Sequence, residues 1–416
     1  MNITLQQNCW QGFEPLVISL PDEWDVEYHG IEGDKHIPLS KEEIRNKINA
    51  PYNMKPLGEL AKGKKKVAIV FDDISRGTPT QPMAEVVIEE LHKAGIGKEQ
   101  IRFICALGTH GAHNRIDFEQ KLGEKITSTY RIYNHNPYEN CVKIGTTCRG
   151  FDVYINKEFM ECDLKIGLGA FTPHPFNSFG GGGKILFPGL ASIDTIQQNH
   201  STAINYIIDN KLNHVAAMGD LSNDGMRKEV EEMTRMVGEF YKIDCIYNTR
   251  LELIDLYAGA PIEEYYAGVT AAQALYKTPK AMDKDIVIVN ANAKGNEATI
   301  AVAFAAQGVA DTGGDIVLID FSQRGQVTHY LLGAFGTNTG GRMWGKIPKE
   351  RPNIHRIICY MPYPEMGSDF WFGEPHKQIY VKTWDEVMAL LKETHGPGTK
   401  VSIIADGTIQ YYEQSQ

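Results

Sequence analysis

The segment TPHPFNSFGGGGKILFPG, Thr172 to Gly189, sets four consecutive glycines directly before Lys184, with His174 ten residues upstream. A glycine run lets backbone approach a phosphate or a flat ligand closely, and the lysine adds a cation at its end. A triphosphate-binding loop needs G-x-x-x-x-G-K followed by Ser or Thr. Here Ile185 follows the lysine and Ser178 stands where the first glycine is required, which argues against a nucleotide triphosphatase. Gly181, Gly182, Gly183 and Lys184 then read either as a site for one phosphate or flat ligand, or as a tight loop with a solvated lysine.

Four histidines, His110, His113, His174 and His200, fall in or near loops. His110 and His113 form H-x-x-H, whereas a metal pair on a helix is usually spaced i, i+4. Each is a candidate acid, base or ligand, and each has a plain alternative as a hydrogen-bonded structural residue. DDISRGTP offers Arg76, whose fork matches a carboxylate or phosphate, with Asp72 or Asp73 to orient it. The same residues read equally as a helix entry, with Asp, Ser and Thr capping amides. NANAKGNEA holds Asn292, Lys294, Asn296 and Glu297, either a polar lip across a cleft or the capping region of the next helix.

These residues need strands that end beside one another. KKVAIVFDD, IRFICALGTH and CDLKIGLGAF are near-continuous apolar runs, each opening into a loop that carries reactive residues. Such runs predict a parallel sheet covered on both faces. Between them, PTQPMAEVVIEELHKAG reads as a helix with Pro82 in its first turn and Gly95 at its stop. After the polar segment Tyr276 to Lys284 a second series follows: DIVIVNANA, GDIVLIDF, HRIICYM and KVSIIADG. TWDEVMALLKETHG predicts a helix with a capping box, Thr383 with Glu386, and a stop at Gly396. The expected fold is α/β: two α/β domains with mainly parallel sheets, residues 1–277 and 278–416, the last residues free to return to the first domain. The site is expected in the cleft between them, beyond the carboxyl ends of strands.

At 416 residues the chain can bury two cores, and a composition 42% hydrophobic and 23% charged is that of a globular protein. A formal net charge of -10 argues against a nucleic-acid surface, and KGKKK, Lys62 to Lys66, reads as a solvated lead-in to a strand. No apolar run has the length of a membrane helix, and the N-terminus lacks signal-peptide features. Seven scattered cysteines without a C-x-x-C pair speak against disulfides or structural zinc, so a cytoplasmic location is expected.

The ordered set DDISRGTP, GTHGAH, PHPF…GGGGK…FPG and then Asn199-His200 resembles the nickel-dependent lactate racemase superfamily. It spans most of the first domain, and the order His174, Lys184, His200 is its specific part. The resemblance implies an isomerase: a racemase or epimerase that inverts C2 of a small 2-hydroxy acid by reversible hydride transfer. It implies a nickel-pincer cofactor, a pyridinium-3,5-bisthiocarboxylic acid mononucleotide attached to Lys184 beside the glycine run, with His200 as the protein's nickel ligand. A soft carbon–sulfur set with one imidazole suits square-planar nickel. It further implies His110 and His174 as bases, Arg76 on the substrate carboxylate, Asp73 supporting Arg76, and cofactor-maturation proteins as partners. Nothing in the sequence fixes an oligomeric state.

The chain departs from the family where the second domain contributes a glutamine and a lysine at a helix start. Its own stretch, GNEATIAVAFA, carries Asn296 and Glu297 instead, with Lys294 just before, which implies an acid longer or more hydroxylated than lactate. Two other classes stand as alternatives: a mononuclear zinc hydrolase using His110, His113 and His174, and a non-catalytic nucleotide-binding protein.

Overall fold

The computed structural model describes residues 1–7, 12, 14–208, 218, 219, 221, 225–345 and 351–413. Two six-stranded sheets dominate. The first runs Leu253–Gly259, Tyr241–Tyr247, Leu164–Ala170, Val67–Asp72, Ile101–Ala106, Arg131–Asn134. Only its Leu253–Gly259 edge is antiparallel. Along Val67–Asp72 the side chains alternate between two cores: Val67, Ile69 and Phe71 enter one, Ala68 and Val70 the other. Burial on both faces is why this strand reads as an unbroken apolar run.

The second sheet is wholly parallel, in the order Gln378–Val381, Ile354–Tyr360, Gly314–Ile319, Ile286–Asn290, Lys400–Ile404, Asp25–His29. It too separates two cores, one holding Val287 and Val289, the other Ile286 and Ile288. Its edge strand Asp25–His29 comes from the start of the chain, inside the segment 1–277, and pairs in register with Lys400–Ile404. Half-exposed edge strands carry little pattern, so the sequence names no partner for this one. At the other end of the chain, Tyr411–Tyr412 pairs with Lys277–Thr278, and Tyr411 enters the first sheet's core.

The helix Thr80–Lys93 has Pro82 in its first turn, and Gly95 follows with φ +90°. The Thr383–Glu386 capping box opens Trp384–Lys392. That helix stops short of Gly396, its last turn tightening where the Thr394 amide bonds the Leu391 carbonyl three residues back. The segment Val327 to Met343 reaches from the second body to the first. Gly111 donates to the Thr328 carbonyl, Tyr330 donates to the Thr109 carbonyl, and Leu331 and Met343 pack with Leu186 and Phe187. Among the described residues no helix is long and apolar enough to cross a membrane. Cys9 lies outside the described residues, and the other six cysteines are free thiols.

Candidate active site

Both sheets reverse their strand order once, and the two reversals face each other. In the first, the chain builds outward from Val67–Asp72 through Ile101–Ala106, then returns to add Leu164–Ala170 on the other side. In the second, the reversal lies between Ile286–Asn290 and Lys400–Ile404. Loops diverge at such points and leave a crevice at the strands' carboxyl ends. A cavity of about 890 Å³ opens there, lined by Asp73, Arg76, His110, His174, Lys184 and His200 from one side and Lys294, Asn296 and Glu297 from the other.

Asp73 is buried and accepts from His110 Nδ1 at 2.6 Å and from the Ser75 amide at 2.8 Å. Burial would raise its carboxyl, but His110, then His113 and Arg76, outweigh it and hold Asp73 well below the usual carboxylate range. With Nδ1 so engaged, His110 presents Nε2 to the cavity as its reactive nitrogen. The expected partner of Asp73 was Arg76. Its direct partner is His110, while Arg76 Nη1 donates to Ser75 Oγ at 2.7 Å and to Glu297 Oε2 at 2.5 Å.

His174 and Lys184 form a pair, Nε2 to Nζ at 2.9 Å. His174 Nδ1 already accepts the Phe176 amide at 3.1 Å, so the ring's hydrogen belongs on Nε2 and the lysine supplies the lone pair. A lysine accepting a hydrogen bond is a neutral amine. Burial, with the charges of Arg76, Arg227 and Lys294, pushes Lys184 well below its ordinary range. Burial likewise pushes His174 well below 6.5, and Arg76 and Lys294 act in the same direction.

His200, on the helix Ile193–Ile208, donates Nδ1–H to the Ile196 carbonyl at 3.1 Å and is lowered to about 3 chiefly by burial. Its Nε2 lone pair is therefore free of a proton at any physiological pH, the state a metal ligand requires. Lys294 is buried, donates to the Pro173 carbonyl across the cleft at 3.3 Å, and is lowered to about 7 by burial and by Arg76. Asn296 keeps Oδ1 shut from solvent without a hydrogen-bond partner. Asn292 lies outside the cavity lining, buried with Nδ2 on the Thr249 carbonyl at 2.7 Å.

The glycines divide. Gly181 lines the cavity at φ +91°, and its carbonyl accepts from Arg227 Nη1 at 3.1 Å. Gly182 and Gly183 lie outside the lining. A Cβ on Gly182 would stand 2.8 Å from the Pro261 carbonyl oxygen, and one on Gly183 only 2.0 Å from Thr234 Oγ1. Those two glycines serve close packing, which sets the direction in which Lys184 leaves the loop.

His113 is turned away from the cavity. Its Nε2 accepts the Ile74 amide at 3.1 Å, so that lone pair is spent on backbone. Among the described residues no three His, Cys, Asp or Glu side chains stand together as a metal-binding group. The His110, His113, His174 zinc set is therefore not assembled.

Several residues of the site carry no motif. Arg227, 2% exposed, reaches the carbonyls of Phe179 and Gly181 and lies 3.8 Å over the Tyr265 ring. Asp244 receives the Gly182 amide at 2.6 Å and the buried Lys242 ammonium at 2.5 Å. His329 packs edge-on against His110 at 5.3 Å, with its Nε2 3.2 Å from Thr109 Oγ1. Lys121, 3% exposed, pairs with Asp72 at 2.7 Å and donates to the Arg76 and Thr78 carbonyls at 3.1 Å each, fixing the loop that carries Arg76. Lys121→Met should lower stability by about 3 kcal/mol, the scale for leaving one partner of a buried pair uncompensated. A denaturant midpoint close to that of the parent protein would show that this anchor is dispensable.

Residues 12–209 match the family model described as the lactate racemase N-terminal domain. A lactate racemase of Lactiplantibacillus plantarum is 26% identical over 396 residues, covering 89% of this chain and 91% of its own length. One from Thermoanaerobacterium thermosaccharolyticum is 26% identical over 286 residues, covering 67% of this chain and 65% of its own. The fold matches the lactate racemase apoprotein of T. thermosaccharolyticum with a TM-score of 0.73 at 18% identity, over the whole of both chains. It also matches a Thermotoga maritima protein with a TM-score of 0.65 at 18% identity, over 90% of this chain and 99% of that one. Related along most of its length to two lactate racemases and folded like a lactate racemase apoprotein, the chain carries in residues 12–209 a lactate racemase N-terminal domain.

Proposed function

We propose that the protein is a racemase or epimerase of a 2-hydroxy acid, an isomerase that inverts C2 by moving its hydrogen as hydride. The reading is carried by one observation: the Lys184 amine, paired with His174, inside a cavity that also presents Arg76 and the Asp73-held His110. The lactate racemase names of its relatives support the reaction class.

The residues present fit a lysine-anchored nickel-pincer mononucleotide. An amine must be unprotonated to be acylated, and burial beside Arg76, Arg227 and Lys294 favours that form of Lys184. A single imidazole with a proton-free nitrogen is what a three-donor pincer leaves for the protein to supply, and His200 has it. Lys184 would hold the nucleotide and His200 the nickel. When bound, the group supplies a reversible acceptor for the C2 hydrogen, chemistry no side chain offers.

The chain's own residues do the rest. Arg76 grips the substrate carboxylate and fixes C2 in the cavity. His110 Nε2 takes the hydroxyl proton, while Asp73 stabilises the imidazolium that forms. His174 serves the opposite face, so the planar 2-keto acid can be refilled on either side. Lys294, Asn296 and Glu297 border the remainder of the substrate, and with no glutamine–lysine pair there the preferred acid is longer or more hydroxylated than lactate.

The test is isotopic. Inversion of such an acid in deuterated water should retain the original hydrogen at C2. Substantial deuterium at C2 of the recovered product would mean carbanion chemistry and end the hydride reading.

A further inference from the structure

Arg76 is the expected seat for the substrate carboxylate, yet a carboxylate of this chain already sits on it. Glu297 Oε2 is 2.5 Å from Arg76 Nη1, and Oε1 is 3.5 Å from His110 Nε2. Nη1 also donates to Ser75 Oγ at 2.7 Å and to the Ser75 carbonyl at 3.1 Å, so that nitrogen has no hydrogen to spare. One acidic side chain thus faces both the group that would bind the acid and the atom that would deprotonate it.

The turn that carries Glu297 is firmly held. Gln326 accepts from the Ala298 amide and donates to the Gly295 carbonyl, each at 3.0 Å, and Glu297 N bonds the Lys294 carbonyl at 2.8 Å. The Glu297 carboxylate can therefore leave Arg76 by side-chain rotation or by separation of the two bodies, and not by local unravelling.

We propose that Glu297 is a specificity-determining residue: it closes the cleft by occupying the carboxylate seat on Arg76, and an incoming acid must displace it. The inference rests on Arg76 being that seat. A substrate carboxylate grips the guanidinium as a fork, and a second carboxylate held on the same group repels it, so acid binding and the Arg76–Glu297 pair compete. The apparent affinity for an acid is reduced by the fraction of molecules in which Glu297 is seated. Once displaced, Glu297 borders the bound acid, where it repels a second carboxylate on the same substrate. Monocarboxylic acids are thereby favoured over diacids.

Glycolate and tartronate test this, because both are achiral 2-hydroxy acids whose binding can be read without any inversion. In titration calorimetry on the full chain, Glu297→Gln and Glu297→Ala should each bind glycolate about tenfold more tightly than the parent protein, as expected if the seat is about nine-tenths occupied. Tartronate should gain more than glycolate. A damaged fold weakens binding, so a gain separates this role from a structural one. Unchanged or weaker glycolate binding in both variants would overturn the proposal, as would a gain that survives in an Arg76→Ala background. A gain in protein that inverts no 2-hydroxy acid would uphold the seat and remove the racemase reading. Unchanged affinity in protein that does invert one would do the reverse.

Discussion

Lys184→Ala should abolish inversion, lowering turnover by roughly a thousandfold or more, the scale seen when a group essential to the chemistry is removed. It should also abolish any added mass on the chain isolated from its native host. The two losses belong together if the lysine is a covalent anchor. A variant that keeps near-parental turnover would refute the anchor whatever its mass. A cation at this position predicts a different pattern from a neutral amine, and the difference is measurable without the cofactor. Lys184 accepts from His174 Nε2 and is pushed far below its ordinary range by burial and by three neighbouring cations. It keeps part of its surface open to the cavity. An exposed lysine sits about three units above neutral pH, so its acylation rate rises about tenfold per pH unit from 7 to 10. Lys184 in the unloaded chain should acylate fastest at pH 7 and respond little to a further rise in pH. Peptide mapping after a brief exposure to an amine-directed reagent reads both quantities. A tenfold rise per unit at Lys184 would show that it carries a proton and needs activation from elsewhere.

How much of this site the sequence discloses depends on how each residue does its work. Residues placed by strand ends were legible. Arg76, His110 and His174 follow near-continuous apolar runs, and a run buried on both faces announces a parallel sheet whose loops open at one edge. Four of the second sheet's six strands, Ile286–Asn290, Gly314–Ile319, Ile354–Tyr360 and Lys400–Ile404, were legible for the same reason. Asp25–His29 was not, because an edge strand half open to solvent has neither a continuous nor a clean alternating pattern. Pairing at a distance left other gaps. Asp73 was expected on Arg76, three residues along, but its direct partner is His110 from the next strand's loop. Arg227 and Asp244 act on the glycine loop through backbone atoms, from a helix and a strand far along the chain. A contact to a carbonyl or an amide needs no particular residue opposite it, so no motif marks it. The glycines show the converse. Their run reads as a ligand cradle, yet Gly182 and Gly183 are required by Pro261 and Thr234, side by side with the loop only in the folded chain.

His110→Gln and His174→Gln should each stop inversion while leaving opposite enantiomers able to react once. With the carboxylate fixed on Arg76 and C2 directed one way, the hydroxyl of one enantiomer points to one side of the cavity and that of its mirror image to the other. Each base then serves one enantiomer, and removal of either should cut reaction of its own enantiomer by about 10²- to 10⁴-fold, the range for a lost general base. The two are not equivalent in the folded chain. His110 has Nδ1–H on Asp73, so once Glu297 has withdrawn its Nε2 can accept a proton without a change of tautomer. His174 has its hydrogen on Nε2 because Nδ1 takes the Phe176 amide, and it must release that contact before Nε2 can act as a base. Phe176 follows only two residues after it in the same loop, so release is a local movement, but it adds a step on one side alone. The enantiomer that depends on His174 should therefore be the slower to yield keto acid in the parent enzyme. Single-turnover formation of 2-keto acid, measured for each enantiomer on loaded protein whose cofactor mass is confirmed, separates the two arms. Loss of both enantiomers in equal measure from each variant would mean that the histidines act as one relay. Near-parental inversion in either variant would remove that histidine from the role of essential base, and loss of the bound mass in a variant would assign it to holding the cofactor instead.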